Sequence, residues 1–321
     1  MYFSKNQGTG MEQPSAKKRV LTRRRLKEWE LNPFLFSFWQ RLFHFERFEF
    51  LFSLAIPLLK ITGIYNKGLA NARNIRMHQI HLKLERLPSA FDGYRILFLS
   101  DLHADSNKPA IRRLIESVQN LSFDLVLLGG DYRFRIKGIM EKALNIVHEL
   151  LGALQAKDGI FAVLGNHDPW ESIESLEAMG IRMLVNEASP IQRDGQTLWI
   201  LGLDDAHFFE SDDFKRASQT VPKDAFRLVL CHSNDALIHI PANQCDLFLS
   251  GHTHGGQICL PIVGAPLIHS RMPRFMARNY WQYKGIHGIT TTGVGTSGLP
   301  IRFNCPGEFV IIELHKAKSN H

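Results

Sequence analysis

The chain has 321 residues, 45% of them hydrophobic, enough for one large core or two smaller ones. Its net charge of +7 is local: of 38 Lys and Arg, seven fall between Lys17 and Lys27, and the remainder balance the 31 Asp and Glu. So compact a patch argues against a nucleic-acid partner, and four cysteines with no CxxC pair argue for reduced, buried thiols.

Residues 1–16 are polar and are expected to be disordered. The basic run follows, and then Phe34, Phe36, Phe38, Trp39, Phe43, Phe45, Phe48, Phe50 and Phe52 crowd one short stretch. No apolar run there approaches the roughly 20 residues of a spanning helix. The long charged region, with no small-residue cleavage site behind it, also fits a signal peptide poorly. Two readings remain for this basic and aromatic stretch, Lys17 to Ile61, within residues 1–74. One is an amphipathic helical extension lying in a bilayer interface, with the Lys/Arg cluster on anionic headgroups. The other is a pair of helices packed on the catalytic domain, which leaves the basic cluster without a role. The first is preferred.

From residue 75 the pattern changes to alternating strands and helices. His78, Ile80, Leu82 and Leu84 alternate with polar neighbours, as in a half-buried strand. Tyr94 to Ser100 reads as a buried strand ending at Asp101-Leu102-His103. A helix is predicted over Ile111 to Leu121, then a strand over Phe123 to Leu128 that ends at Gly129-Gly130-Asp131. A second helix is predicted over Ile139 to Leu154, and a strand over Ile160 to Leu164 ends at Gly165-Asn166-His167-Asp168. Later strands are Leu198 to Leu203, Phe226 to Cys231 (followed by His232), Asp246 to Ser250 (followed by Gly251-His252-Thr253-His254-Gly255), Gly288 to Gly293, and Glu308 to Leu314. This alternation predicts an α/β fold whose ligands gather at the C-terminal ends of the strands.

Five strands therefore end in a metal-competent residue. Asp131 alone is an ordinary turn residue, and a lone His-x-His is weak evidence of ligation. Five such ends in succession are hard to attribute to chance. Mixed oxygen and imidazole donors without thiolate suit Mn, Fe, Zn or Ni and argue against a Cys-type structural zinc site. The donors are too many for one ion, but they suit two ions sharing a carboxylate and clamping a phosphoryl group.

The five parts, in this order, resemble the calcineurin-like metallophosphoesterases over residues 75–316. Gly251 to Gln257, Leu260-Pro261 and Gly293 to Phe303 resemble, more narrowly, a branch of bacterial membrane-linked phosphodiesterases. That branch includes the chlamydial-type UDP-2,3-diacylglucosamine pyrophosphatases of lipid A synthesis. The resemblance implies a four-layer α/β/β/α sandwich over 75–321 with the N-terminal extension before it. It implies two divalent ions, Mn first and Zn, Fe or Mg next. Asp101, His103 and His254 would hold one ion, Asp131 would bridge, and Asn166, His232 and His252 would hold the other. His167 would serve as general acid or charge stabiliser. Arg135, with Asn166, would contact phosphate; for Arg133 and Arg135 a solvated loop pair is an equal reading. Many relatives carry a carboxylate three residues after the bridging Asp to support the catalytic His; Phe134 stands there, which leaves Asp168 as a candidate substitute.

The expected protein is a peripheral enzyme on the cytoplasmic face of a bacterial inner membrane. It would hydrolyse a lipid-linked nucleotide, best UDP-2,3-diacylglucosamine, to UMP and a diacylglucosamine 1-phosphate. The alternatives are a phosphodiesterase or phosphatase for another, soluble substrate, and a metal-binding scaffold without catalysis.

Overall fold

Apolar residues two apart along short strands give each sheet one face for a shared core and one for an outer layer. The computed structural model describes residues 56–317 other than 58 and 137–138. The basic run and the aromatic stretch, with the membrane expectation built on them, lie outside the described residues.

Two six-stranded sheets result. The first has the order Arg76–Leu84, Glu308–Lys316, Tyr94–Leu99, Leu125–Leu128, Ile160–Ala162, Ile181–Met183. The second has the order Asn279–Tyr283, Ile286–Thr290, Leu247–Ser250, Phe226–Leu230, Gln196–Gly202, Glu187–Arg193. Ile96, Phe98, Leu125 and Leu127 of the first share one core with Leu198, Ile200, Leu228 and Leu249 of the second. The alternate residues Leu97, Leu99, Val126 and Leu128 face the helices Lys108–Val118, Glu141–Gly152 and Ser172–Ala178. On the far side Val229, Phe248 and Trp281 are covered by the short helix Phe214–Ala217 and the 3-10 turns Asn234–Ile238 and Arg274–Ala277. The α/β/β/α sandwich is present, with a fourth layer made of short turns.

Some elements differ from expectation. The strand predicted over Phe123 to Leu128 is broken at Asp124, whose carboxylate accepts from the Arg95 N–H at 2.8 Å and pairs with Arg193 at 2.9 Å. Ser122–Phe123 leaves to pair with Gln155–Ala156, and Leu125–Leu128 stays in the main sheet. Two edge strands had no clear sequence signal, Glu187–Arg193 and Asn279–Tyr283. Each joins its neighbour through a two-residue turn with both φ positive, Asp194-Gly195 and Lys284-Gly285. Such turns match the twist of paired strands.

The helix Ile64–Arg73 seats on the loop 301–303, where a Cβ at Gly68 would meet Ile301 and Phe303. The Gly68 carbonyl accepts from the Arg302 N–H at 3.0 Å, and Asn71 Nδ2 donates to the Arg302 carbonyl at 3.0 Å. Among the described residues no helix is long and apolar enough to cross a membrane.

Candidate metal centre

Tyr94–Leu99, Leu125–Leu128 and Ile160–Ala162 are parallel neighbours, as are Phe226–Leu230 and Leu247–Ser250 in the other sheet. Their C-terminal ends bring all the expected donors together. The backbone turns sharply where most of them sit. Asp101, His103, Asp131, His252 and His254 all have positive φ, between 38° and 65°. Left-handed backbone at a non-glycine residue is uncommon and is held by its surroundings. Here the loops bond across the gap: the N–H groups of Asp101 and His103 donate to the carbonyls of Gly130 and Asp131, each at 2.9 Å. Gly251 lies against this frame, and a Cβ there would stand 2.1 Å from Asp101 Oδ2. Gly251→Ala is therefore expected to cost about 1–3 kcal/mol through overpacking. Thermal unfolding and bound-metal analysis would check this; an unchanged melting temperature with full metal content would contradict it.

Two donor groups face each other. In one, His254 Nε2 lies 3.3 Å from Asp101 Oδ1 and 3.4 Å from His103 Nε2. In the other, His232 Nε2 lies 3.1 Å from Asn166 Oδ1 and 3.2 Å from His252 Nδ1. Asp131 Oδ2 stands between, 3.7 Å from His103 Nε2 and 3.3 Å from His232 Nε2. All these side chains are buried.

The electrostatics favour cations. Burial pushes the His103 imidazole down to about 3 and holds His252 and His254 well below their ordinary range. Burial also pushes Asp101 up to about 6. Burial works against a charged Asp131, yet the flanking His232 and His167 hold its carboxyl well below the usual range. His103 Nδ1–H donates to the Arg133 carbonyl and His232 Nδ1–H to the Gly129 carbonyl, each at 2.8 Å. Each Nε2 then faces inward. Burial works against a charged His232, yet Asp131 and Asp101 hold its imidazole well above the ordinary range, so an ion bound there would displace its Nε2 proton. Lone pairs this close, with few protons to share, suit divalent ions between them. The donor set therefore fits a metal pair: Asp101, His103 and His254 would hold one ion, Asn166, His232 and His252 the other, and Asp131 both.

Residues 94–256 match the calcineurin-like phosphoesterase family. The chain belongs to that family. Phosphodiesterase YaeI of Escherichia coli is 32% identical over 234 residues, covering 69% of this chain and 82% of that protein. Metallophosphoesterase YkuE of Bacillus subtilis is 27% identical over 267 residues, covering 77% and 90%. The family binds a dinuclear metal site and hydrolyses phosphoesters, and this chain is a metal-dependent phosphoester hydrolase.

With Phe134 in the place of a carboxylate, His167 takes its support from the main chain. His167 Nδ1–H donates to the Phe134 carbonyl at 2.5 Å, so an oxygen from that very position orients the ring. Asp168 braces the backbone instead, accepting from the N–H groups of Asp131, Tyr132 and Gly165 at 2.7, 2.9 and 2.9 Å. Arg133 is buried, with its Nε donating to the His167 carbonyl at 2.6 Å, which corrects the solvated-pair reading for that residue. Arg135 is exposed, one residue beyond Phe134. Sequence reasoning gave no role to Arg302, the largest fully buried side chain among the described residues. Its guanidinium donates to the carbonyls of His254, Thr292, Gly295 and Cys305 and so ties the His254 loop to the C-terminal loop. An arginine in an apolar stretch signals such a tie only once its burial is known.

Proposed function

We propose that this hydrolase cleaves a phosphodiester or pyrophosphate bond in a lipid-linked nucleotide at a membrane surface, with manganese as the activating ion. The specific substrate proposed is UDP-2,3-diacylglucosamine, giving UMP and 2,3-diacylglucosamine 1-phosphate. The observation that carries the chemistry is Asp131, whose carboxylate stands between two facing donor groups. Divalent ions held there supply Lewis-acid polarisation of a phosphoryl group and a water of lowered pKa. His167 keeps its Nδ1 proton on the Phe134 carbonyl, so the proton it offers a leaving group sits on Nε2, 3.9 Å from Asp131 Oδ2. Exposed Arg135 and the Asn166 side chain are proposed to meet phosphate oxygens.

The lipid assignment is supported by the sequence between Lys17 and Phe52, where basic and aromatic residues give the two signals that stable peripheral binding needs. The name of the Escherichia coli relative supports a diester over a monoester. Release of UMP from UDP-2,3-diacylglucosamine with added manganese tests the substrate. Turnover of bis-p-nitrophenyl phosphate without any UMP release would remove that substrate and leave the phosphodiesterase.

Deletion of residues 1–55, which spares the docked helix Ile64–Arg73, is expected to release the protein from anionic vesicles. Each basic residue near the surface contributes about 1 kcal/mol of attraction. Hydrolysis of a small soluble diester should persist, while turnover in vesicles falls. Co-sedimentation would show this, and unchanged vesicle binding by the truncated protein would end the membrane assignment.

A further inference from the structure

Beside the metal centre lies a cavity of about 270 Å³. His252 and His254 line it together with Ile258, Pro266, Leu267 and Leu299. Thr253, Gln257, His269 and Ser297 also line it, and the side chains of Gln257 and Thr253 are engaged with the main chain. Gln257 Nε2 donates to the carbonyls of Ser297 and Leu299 at 3.0 and 2.8 Å, and its Oε1 accepts from the Ser297 N–H at 2.8 Å. Thr253 Oγ1 donates to the Ala277 carbonyl at 2.6 Å. Between the walls the chain reverses through reciprocal Leu260–Gly264 hydrogen bonds of 2.8 and 3.0 Å. This turn exposes Leu260, Ile262 and Val263, the last two at 107% and 73%. Leu267 is itself 40% exposed, so the apolar wall continues to the surface. Single exposed apolar residues are ordinary, but a contiguous group marks a binding surface.

The occupant follows from what lies at the inner end. His252 and His254 belong to the two donor groups, so the cavity and the metal centre share two residues. A polar group against Ile258, Pro266, Leu267 and Leu299 would lose hydrogen bonds to water without replacement. We infer that the cavity seats the alkyl or acyl group of the phosphodiester being cleaved, and that Leu267 and Leu299 set the preference for it. This deepens the proposed function and rests on the hydrolase reading of the same centre.

The test uses the full chain and soluble p-nitrophenyl diesters carrying methyl, butyl or octyl groups, below their aggregation concentrations. At about 0.8 kcal/mol per buried methylene, seating only two methylenes gives roughly ten-fold. The octyl ester should therefore exceed the methyl ester at least about ten-fold in kcat/KM. Leu267→Asp, at a partly exposed position, should bring that ratio close to one. Leu267→Trp should move the preference toward butyl by filling space. Calorimetric binding of octyl phosphate against methyl phosphate gives the same comparison without turnover. A flat profile, or a steep one untouched by both variants, overturns the inference. Hydrolysis of the methyl ester alongside a flat profile leaves the hydrolase reading intact; no hydrolysis of any ester removes that reading, and the binding comparison then decides the apolar seat. Loss of the octyl preference together with concentration-dependent dimerisation would assign the surface to a second copy and overturn the inference as well.

Discussion

Asp131→Asn is expected to lower turnover by at least about 10³, since loss of one pre-organised group at a reacting centre already costs about 10²–10³. The Asp131 carboxylate faces both donor groups, with His103 Nε2 at 3.7 Å and His232 Nε2 at 3.3 Å. An amide keeps the shape but removes the charge that both ions would share. Asp131 Oδ1 also accepts from the His167 N–H at 2.9 Å, a bond that the amide oxygen can keep, so the loss falls on the charge. Metal content should fall with activity. Steady-state rates with bis-p-nitrophenyl phosphate, read beside metal analysis, decide the matter; near-normal turnover would mean that Asp131 is not shared.

His167→Ala is expected to reduce kcat by about 10² or more with metal content nearly unchanged, as for an acid or charge stabiliser outside the ligand shell. The ring is buried, its Nδ1 is fixed by the Phe134 carbonyl, and its Nε2 lies 3.9 Å from Asp131 Oδ2. Activated aryl esters need less help with departure than alkyl esters. The loss should therefore be smaller for a p-nitrophenyl leaving group than for an alkoxide. An equal loss of bound metal would recast His167 as a ligand.

The donors were legible because each ends an apolar run with its own chemical signature. The residue order Asp101-x-His103, Asp131, Asn166-His167, His232 and His252-x-His254 is visible without coordinates. What supports them was less so. The partner of His167 is a carbonyl of Phe134, and a main-chain oxygen leaves no mark in a sequence. Glu187–Arg193 contains Pro190 and polar residues and fits only as an edge strand. Asn279–Tyr283 is likewise an edge with most of its residues outside the core, so its apolar pattern is weak. The break at Asp124 reflects ion pairs with Arg193 and Lys157, which are distant in sequence. The apolar cavity joins residues near 254, 267 and 299, and only the fold brings those stretches together.

The number of divalent ions bound per chain tests the central claim most directly. Protein stripped with EDTA and titrated with manganese, analysed by inductively coupled plasma mass spectrometry with activity followed in parallel, should bind two ions and reach full activity only when both are present. Full activity with one ion, or activity indifferent to EDTA, would contradict a shared dinuclear centre.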